Sequence, residues 1–222
     1  MVNSAEREKA EPGGRGARTR RAILDAGFDL LADRPIDAIP IDAIVSAARV
    51  AKGSFFNHFE DKQGFADAVA ADIRQDVEQR VALANRNVID PLGRLVGGLR
   101  VGVRFALNNP KRAKVMLRGL GGGATSQTHP LNQGLRDDFV ACVSAGLLSA
   151  DAEATGVMFW LGVCQVAMIC TLSETPSRAD ISEQVRSLLI LALRGLGADP
   201  AHAAQLAAAA AADLERNEDL AA

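Results

Sequence analysis

Tyrosine is absent from the 222 residues, and β-branched runs with period two are missing as well, so no stretch reads as a half-buried strand. The three histidines, His58, His129 and His202, lie far apart and no Cys-x-x-Cys occurs, which removes the usual spacing of a metal site. No nucleophile–base pair or ligand cluster stands out, so neither an enzyme nor a cofactor is expected, and Asp137-Asp138 reads as helix surface. Cysteine is scarce. Cys142, Cys164 and Cys170 form an odd set in a chain without a signal-peptide pattern, which points to a reducing cytoplasm. A membrane span is also missing: the most apolar run, Val157 to Leu172, is broken by Gly162 and Gln165 and lacks basic flanks. It falls short of the ~20 residues a spanning helix needs, so a helix buried all round is expected.

What is present is alanine and leucine in helical spacing, with 48% hydrophobic and 23% charged residues, the balance of an ordinary globular chain. The length suits one large or two small domains. Net charge is −2, which taken alone argues against nucleic acid, but the distribution is uneven. Residues 1–21 hold Arg7, Lys9, Arg15, Arg18, Arg20 and Arg21 against Glu6, Glu8 and Glu11, whereas residues 25–42 carry five Asp and one Arg. Any DNA face is therefore a local patch with a modest salt dependence.

The chain is organised around A43-I-V-S-A-A-R-V-A-K-G-S-F-F-N-H-F-E-D-K62. A short helix over about Asp42–Ala48 turns through Arg49-Val50 into a second short helix over about Lys52–Asn57. Ile44, Val45, Val50 and Phe55 supply a core, Phe55 and Phe59 lock the second helix, and Lys52, Ser54, Asn57 and His58 are left to face outward. Two short helices joined by a tight turn make the helix-turn-helix, whose second helix enters the major groove.

From Thr19 to Ala68 these residues resemble the N-terminal domain of the TetR-type (TetR/AcrR) transcriptional regulators. The match runs through T19-R20, I44-V45 and V50-A-K-G-S-F-F-N-H-F59, then Lys62 and Phe65. The resemblance implies an all-α fold, with a three-helix helix-turn-helix head and a C-terminal helical bundle for ligand binding and dimerisation. It implies a cytoplasmic homodimer on a palindromic operator, a repressor released by a small-molecule effector. Lys52 and Gly53 would open the recognition helix, Ser54 and Asn57 would read bases, and His58 and Lys62 would hold phosphates. Thr19 and Arg20 would grip a flanking phosphate at a helix N-terminus. Three departures stand out. Arg49 occupies a turn position usually given to a left-handed Gly, and adds a cation near DNA. Ala51 replaces the Ser or Thr cap, and Phe56 replaces a Tyr, leaving apolar contact such as a thymine methyl.

In chain order, residues 1–16 form a disordered arm, 17–62 the DNA-binding domain and 63–222 the ligand-binding and dimerisation domain. The first helix spans about Arg18–Ala32 and buries Ile23, Ala26, Gly27, Leu30 and Leu31. Pro40 is placed in the first turn of the next helix, and Asp61 caps a long helix reaching the mid-80s. Asp90-Pro91, Asn109-Pro110 and Asp199-Pro200 are cap-and-first-turn pairs, Asp151 caps the apolar helix, and Ser177 with Asp180 forms a capping pair. Gly121-Gly122-Gly123 with Thr125-Ser126 is a loop, and a helix follows Pro130 to about Leu148. By the resemblance, helices around 151–173 and 178–196 make the dimer interface.

Candidate pocket residues are Gly98, Arg104, Trp160 and Cys164. Small residues at 93, 97, 98 and 102 either admit close helix packing or leave room for a ligand. Arg100 and Arg104 lie i,i+4 and either hold a carboxylate or are solvated, with the solvated surface expected. Trp160 and Cys164 share a helix face, with core packing the competing reading. A redox- or electrophile-sensing regulator using one of the cysteines is the alternative function.

Overall fold

The structure is a computed structural model that describes residues 14–119, 129–172 and 177–216. Most of the expected arm and the Gly121–Ser126 loop lie outside the described residues. Among the described residues, ten α-helices and two 3-10 turns follow one another and there is no strand. The chain divides into two compact units, Met1–Val69 and Ala70–Ala222.

In the first unit, α1 (Arg15–Asp33) starts at Arg15, so the arm does not extend to residue 16. Its buried stripe is Ile23, Leu24, Gly27 and Leu31, with Ala26 and Leu30 only half-buried. A 3-10 turn (Ile36–Ala38) leads to α2 (Ile41–Ala47), where Pro40 is the N-cap rather than the first helical residue. Then come α3 (Lys52–Phe56) and the first turns of α4 (Lys62–Asn85). Phe55, Phe59 and Phe65 form the centre, with ring centroids 5.2–5.5 Å apart and all three rings nearly solvent-free. Such tilted and edge-on pairs gain attraction beyond their buried area. Gly27 makes room for this cluster: a Cβ there would overlap the Phe65 ring.

The second unit is a helical body built from the rest of α4, α5 (Pro91–Asn108), α6 (Pro110–Arg118), α7 (Gln133–Ser144), α8 (Ala152–Thr171), α9 (Arg178–Gly195) and α10 (Pro200–Glu215). A 3-10 turn (Pro130–Asn132) precedes α7, which ends at Ser144 rather than near Leu148. Helix starts follow local chemistry. Asp61 accepts from Gly64 N at 2.7 Å, Asp90 from Leu92 N and Gly93 N at 3.1 Å, and Asp199 from His202 N at 2.9 Å. Ser177 and Asp180 form a reciprocal capping box. Two expected caps differ. Asp151 stands at the cap position without a side-chain bond, and Asn109 turns its amide back to Phe105 O, closing α5 instead of opening α6.

The core of this unit is Leu92, Leu95, Leu99 and Val103 of α5 against Phe139, Trp160, Leu189 and Leu193 from α7, α8 and α9. Helix α8 departs from its expected complete burial. Trp160, Val157, Val163 and Ala167 face inward, but Met158, Phe159, Val166 and Ile169 are about half exposed. At 20 residues α8 is long and apolar enough to cross a membrane by length and composition alone, a property it shares with core helices of folded bundles. On α9, Leu191 is 72% exposed.

Arg104 and Arg100 also depart from expectation. Neither is a solvated surface residue: Arg100 donates to Asp213 at 2.5 Å and Arg104 at 2.8 Å, with the Arg104 side chain only 8% exposed. Arg104 also donates to the Asp213 carbonyl, so the two arginines tie α10 to α5.

Candidate nucleic-acid interface and ligand cavity

The turn between α2 and α3 is a Schellman closure. Val50 N donates to Val45 O at 3.0 Å and Arg49 N to Ser46 O at 3.1 Å, which satisfies the last carbonyls of α2. That geometry requires a left-handed residue, and Arg49 takes it at φ 55°, at a cost of roughly 1–2 kcal/mol for a non-Gly side chain. Ala51 stands at the N-cap of α3 and makes no side-chain bond, as its methyl dictates. The loss is tolerable because Phe55 anchors the helix from its buried side.

Arg49, Lys52, Gly53, Phe56 and Asn57 are exposed, and Ser54 and His58 are half-buried. Nothing stands within 4 Å of a Cβ built on Gly53, so this backbone is open to close approach. Lys52 is not a free cation: its ammonium meets Asp42 Oδ1 at 2.9 Å. Both groups are well exposed, so the pair is weak and readily exchanged. Thr19 is half-buried, and the Arg20 guanidinium lies 5.6 Å above the Phe59 ring, which fixes its stem beside the aromatic cluster.

Lys62 is placed differently from the rest of the expected DNA-facing set. Its ammonium donates to the carbonyls of Ile36, Asp37 and Ile39 at 3.3–3.4 Å. Those carbonyls belong to the 3-10 turn and its C-cap, so Lys62 closes the α1–α2 connection with its positive charge directed inward. Neither this nor the Asp42 partner of Lys52 has a sequence signal, because the partners are backbone groups or lie across a turn.

In the helical body a cavity of about 550 Å³ lies among α4, α5, α7 and α8. That volume falls in the range of small-molecule sites. Gly98, Trp160 and Cys164 line it, whereas Arg104 borders a separate groove near Phe105. Trp160 also belongs to the core, so core and cavity wall coincide at this residue. Gly98 leaves real space, since a Cβ there would meet nothing closer than Val81 Cγ1 at 3.6 Å.

The polar part of the wall comes from residues that the sequence did not place in the pocket. Arg74, 6% exposed, donates to Asn132 Oδ1 and stands 3.6 Å from Glu78. Arg94 binds Asp138 at 2.5 Å, which places Asp138 in a half-buried ion pair rather than on an open helix surface. Arg94 also donates to the carbonyls of Val88 and Ile89. Burial raises the pKa of Glu78 against the pull of Arg74, and that of Asp138 against the pull of Arg94. Only Arg74–Glu78 had a readable signal, the i,i+4 spacing on one helix.

Burial also pushes the thiols of Cys142 and Cys164 up to about 12, aided by Asp138 beside Cys142 and Glu78 beside Cys164. Neither is a thiolate at neutral pH, and the thiolate is the reactive form. Among the described residues, no group of His, Cys, Asp and Glu is arranged to hold a metal ion.

The sequence model of the bacterial regulatory proteins of the tetR family matches residues 23–69, the helix-turn-helix and the start of α4. The HTH-type transcriptional repressor DhaR of Mycobacterium sp. (strain GP1) is 30% identical over 63 residues, which make up 28% of this chain. The match spans 32% of DhaR, about a third of its length. The fold as a whole is shared with RolR in complex with resorcinol, at a TM-score of 0.68 and 23% identity over 87% of this chain and 94% of RolR. It is likewise shared with a TetR-family transcriptional regulator from Pectobacterium atrosepticum, at a TM-score of 0.61 and 18% identity over 82% of this chain and 97% of that one. Over residues 23–69 the head is thus similar to the tetR-family regulatory proteins, and the all-helical fold of the chain is one it shares with solved TetR-family structures.

Proposed function

We propose that this chain is a homodimeric, sequence-specific DNA-binding repressor that a small molecule releases from a palindromic operator. The observation that carries the reading is the exposed face of α3, where Gly53, Phe56 and Asn57 stand clear of the protein on a helix fixed from behind by Phe55. In this reading Asn57 and Ser54 read base edges. Phe56 meets a thymine methyl, and Lys52, exchanging Asp42 for phosphate, positions the helix with Arg49, His58, Thr19 and Arg20. Lys62 keeps its three carbonyls and acts through the integrity of the head.

The half-exposed apolar residues of α8, with Leu191 of α9, support pairing with a second copy. Exposed large apolar side chains concentrated on one helix fit an interface, and a two-fold dimer would present two recognition helices to two half-sites one turn apart. The cavity supports effector binding, and RolR, a protein of the same fold, holds resorcinol. A ligand releases DNA only by binding better to the form that does not fit the operator.

The test is fluorescence anisotropy on DNA from the gene's own upstream region, with wild type, Asn57→Ala and Lys62→Gln. Salt-sensitive binding above a scrambled control is expected. Asn57→Ala should lose about 10- to 100-fold on that DNA, the usual weight of a base contact. Lys62→Gln should lower the stability of the head without changing which sequence is preferred. Binding no stronger than to scrambled DNA would refute the reading.

A further inference from the structure

We propose that the cavity takes an uncharged, mostly apolar small molecule that presents a hydroxyl-type donor to Glu78. The inference rests on the reading of the cavity as the effector site and specifies the chemistry of what enters.

The walls are chiefly apolar, with Trp160, Leu161, Leu135 and Met168 prominent. The charges among them are already engaged. Arg94 is held by Asp138 and by two backbone carbonyls, and Arg74 by Asn132 and Glu78. Asp137, the remaining lining carboxylate, accepts from Gln133 at 2.7 Å on the exposed side of α7. An anionic ligand would have to draw a guanidinium away from its partners, and a cationic one would have to strip a carboxylate from an arginine. Either exchange leaves a half-buried charge without its counterion, and the entering charge is itself desolvated. A neutral molecule carries neither penalty. Burial raises the pKa of both Glu78 and Asp138, a sign that the surroundings already disfavour charge.

Glu78 has acceptor capacity to spare. Its pairing with Arg74, at 3.6 Å, engages one carboxyl oxygen and leaves lone pairs on the other, and its side chain is 36% exposed on the cavity wall. A hydroxyl hydrogen directed at this carboxyl would complete it. Gln165, also lining the cavity and half-buried, offers a second polar group on the same wall as Cys164.

The molecule contains its own reporter. Trp160 is the only tryptophan, tyrosine is absent, and Trp160 forms part of the wall. Its emission can be titrated with meta-cresol, meta-hydroxybenzoate and meta-hydroxybenzylamine, which share a ring and a hydroxyl and differ in charge. Resorcinol is a fourth, neutral probe. Saturable changes are expected with the two neutral phenols, at least tenfold tighter than with either charged analogue. Glu78→Ala should weaken meta-cresol by about tenfold, the usual weight of a hydrogen bond to a charged acceptor, and leave toluene unchanged. Glu78→Gln, which keeps an acceptor and the packing, should retain most of the affinity. Gly98→Leu, filling the open space, should abolish the response. Tighter binding of the benzoate or the amine would overturn the neutral-ligand assignment and leave the effector cavity standing. No saturable response to any of the four probes would overturn both.

Discussion

Replacing Gly27 by alanine sets two well-characterised effects against each other within the head. In a helix interior the exchange ordinarily raises stability by about 1 kcal/mol, because glycine gives up more backbone freedom on folding. Here the new methyl would overlap Phe65 Cζ and lie 2.8 Å from Cε2. Phe65 cannot retreat, since it has no solvent exposure and touches Phe55 and Phe59 at centroid distances of 5.5 and 5.2 Å. Over-packing of a closed core costs about 1–3 kcal/mol, and a ring held between two other rings puts this site toward the upper end. The net result should be a loss of about 1–2 kcal/mol, lowering the urea midpoint by roughly 0.5–1 M for a typical small-domain slope. Gly53→Ala is the matched control: nothing lies within 4 Å of its Cβ, so stability should rise by up to about 1 kcal/mol. Far-ultraviolet circular dichroism during urea titration reads both. A Gly27→Ala midpoint at or above wild type would refute the argument that the aromatic cluster, rather than backbone propensity, governs this position.

Asp213 is pushed up by burial but pulled down further by Arg216, Arg100 and Arg104, so its pKa lies below the ordinary carboxylate value. A lowered folded-state pKa gives stability that is complete above the unfolded value, near 4, and is lost as pH falls through the folded one. Asp213→Asn should cost about 2 kcal/mol at neutral pH, by leaving buried guanidinium groups underpaired, and should flatten the acid limb of thermal melts. Melts that stay parallel to wild type at every pH would refute it. Cys142 and Cys164, with thiols held at about 12, should resist an aromatic disulfide reagent at mildly alkaline pH while the chain is folded and react on unfolding. Peptide mapping by mass spectrometry would expose a fast native reaction at Cys164, which would revive cysteine sensing.

Features set by neighbours in sequence were legible and those set by distant partners were not. The capping oxygens of Asp61, Asp90, Ser177 and Asp199 act two or three residues ahead, so residue type and spacing suffice to place them. The helix-turn-helix was legible for the same reason, down to the left-handed turn at Arg49. Asn109 shows the limit even there: its amide had two helix ends within reach and chose the preceding one. The ties of Arg104 to Asp213, Arg94 to Asp138 and Arg74 to Asn132 join residues 109, 44 and 58 positions apart, and no periodicity encodes them. Lys62 was unreadable because its acceptors are main-chain oxygens. Helix α8 misled for a different reason: with apolar residues on every side, it has no stripe to show which face is covered within one chain.

Three glycines of α5 differ in how freely they could drift over evolutionary time. At position 97 a methyl would collide with the Asn85 side-chain oxygen, whose amide donates to Arg94 O, so a change there must displace that bond. At 102 the nearest atom is the flexible Met168 sulfur at 3.4 Å, so a small residue could be absorbed. At 98 there is open space beside the cavity. Related chains could therefore shrink or reshape the chamber one side chain at a time at position 98, leaving the scaffold around it undisturbed, and so change what the cavity admits without relearning how to fold.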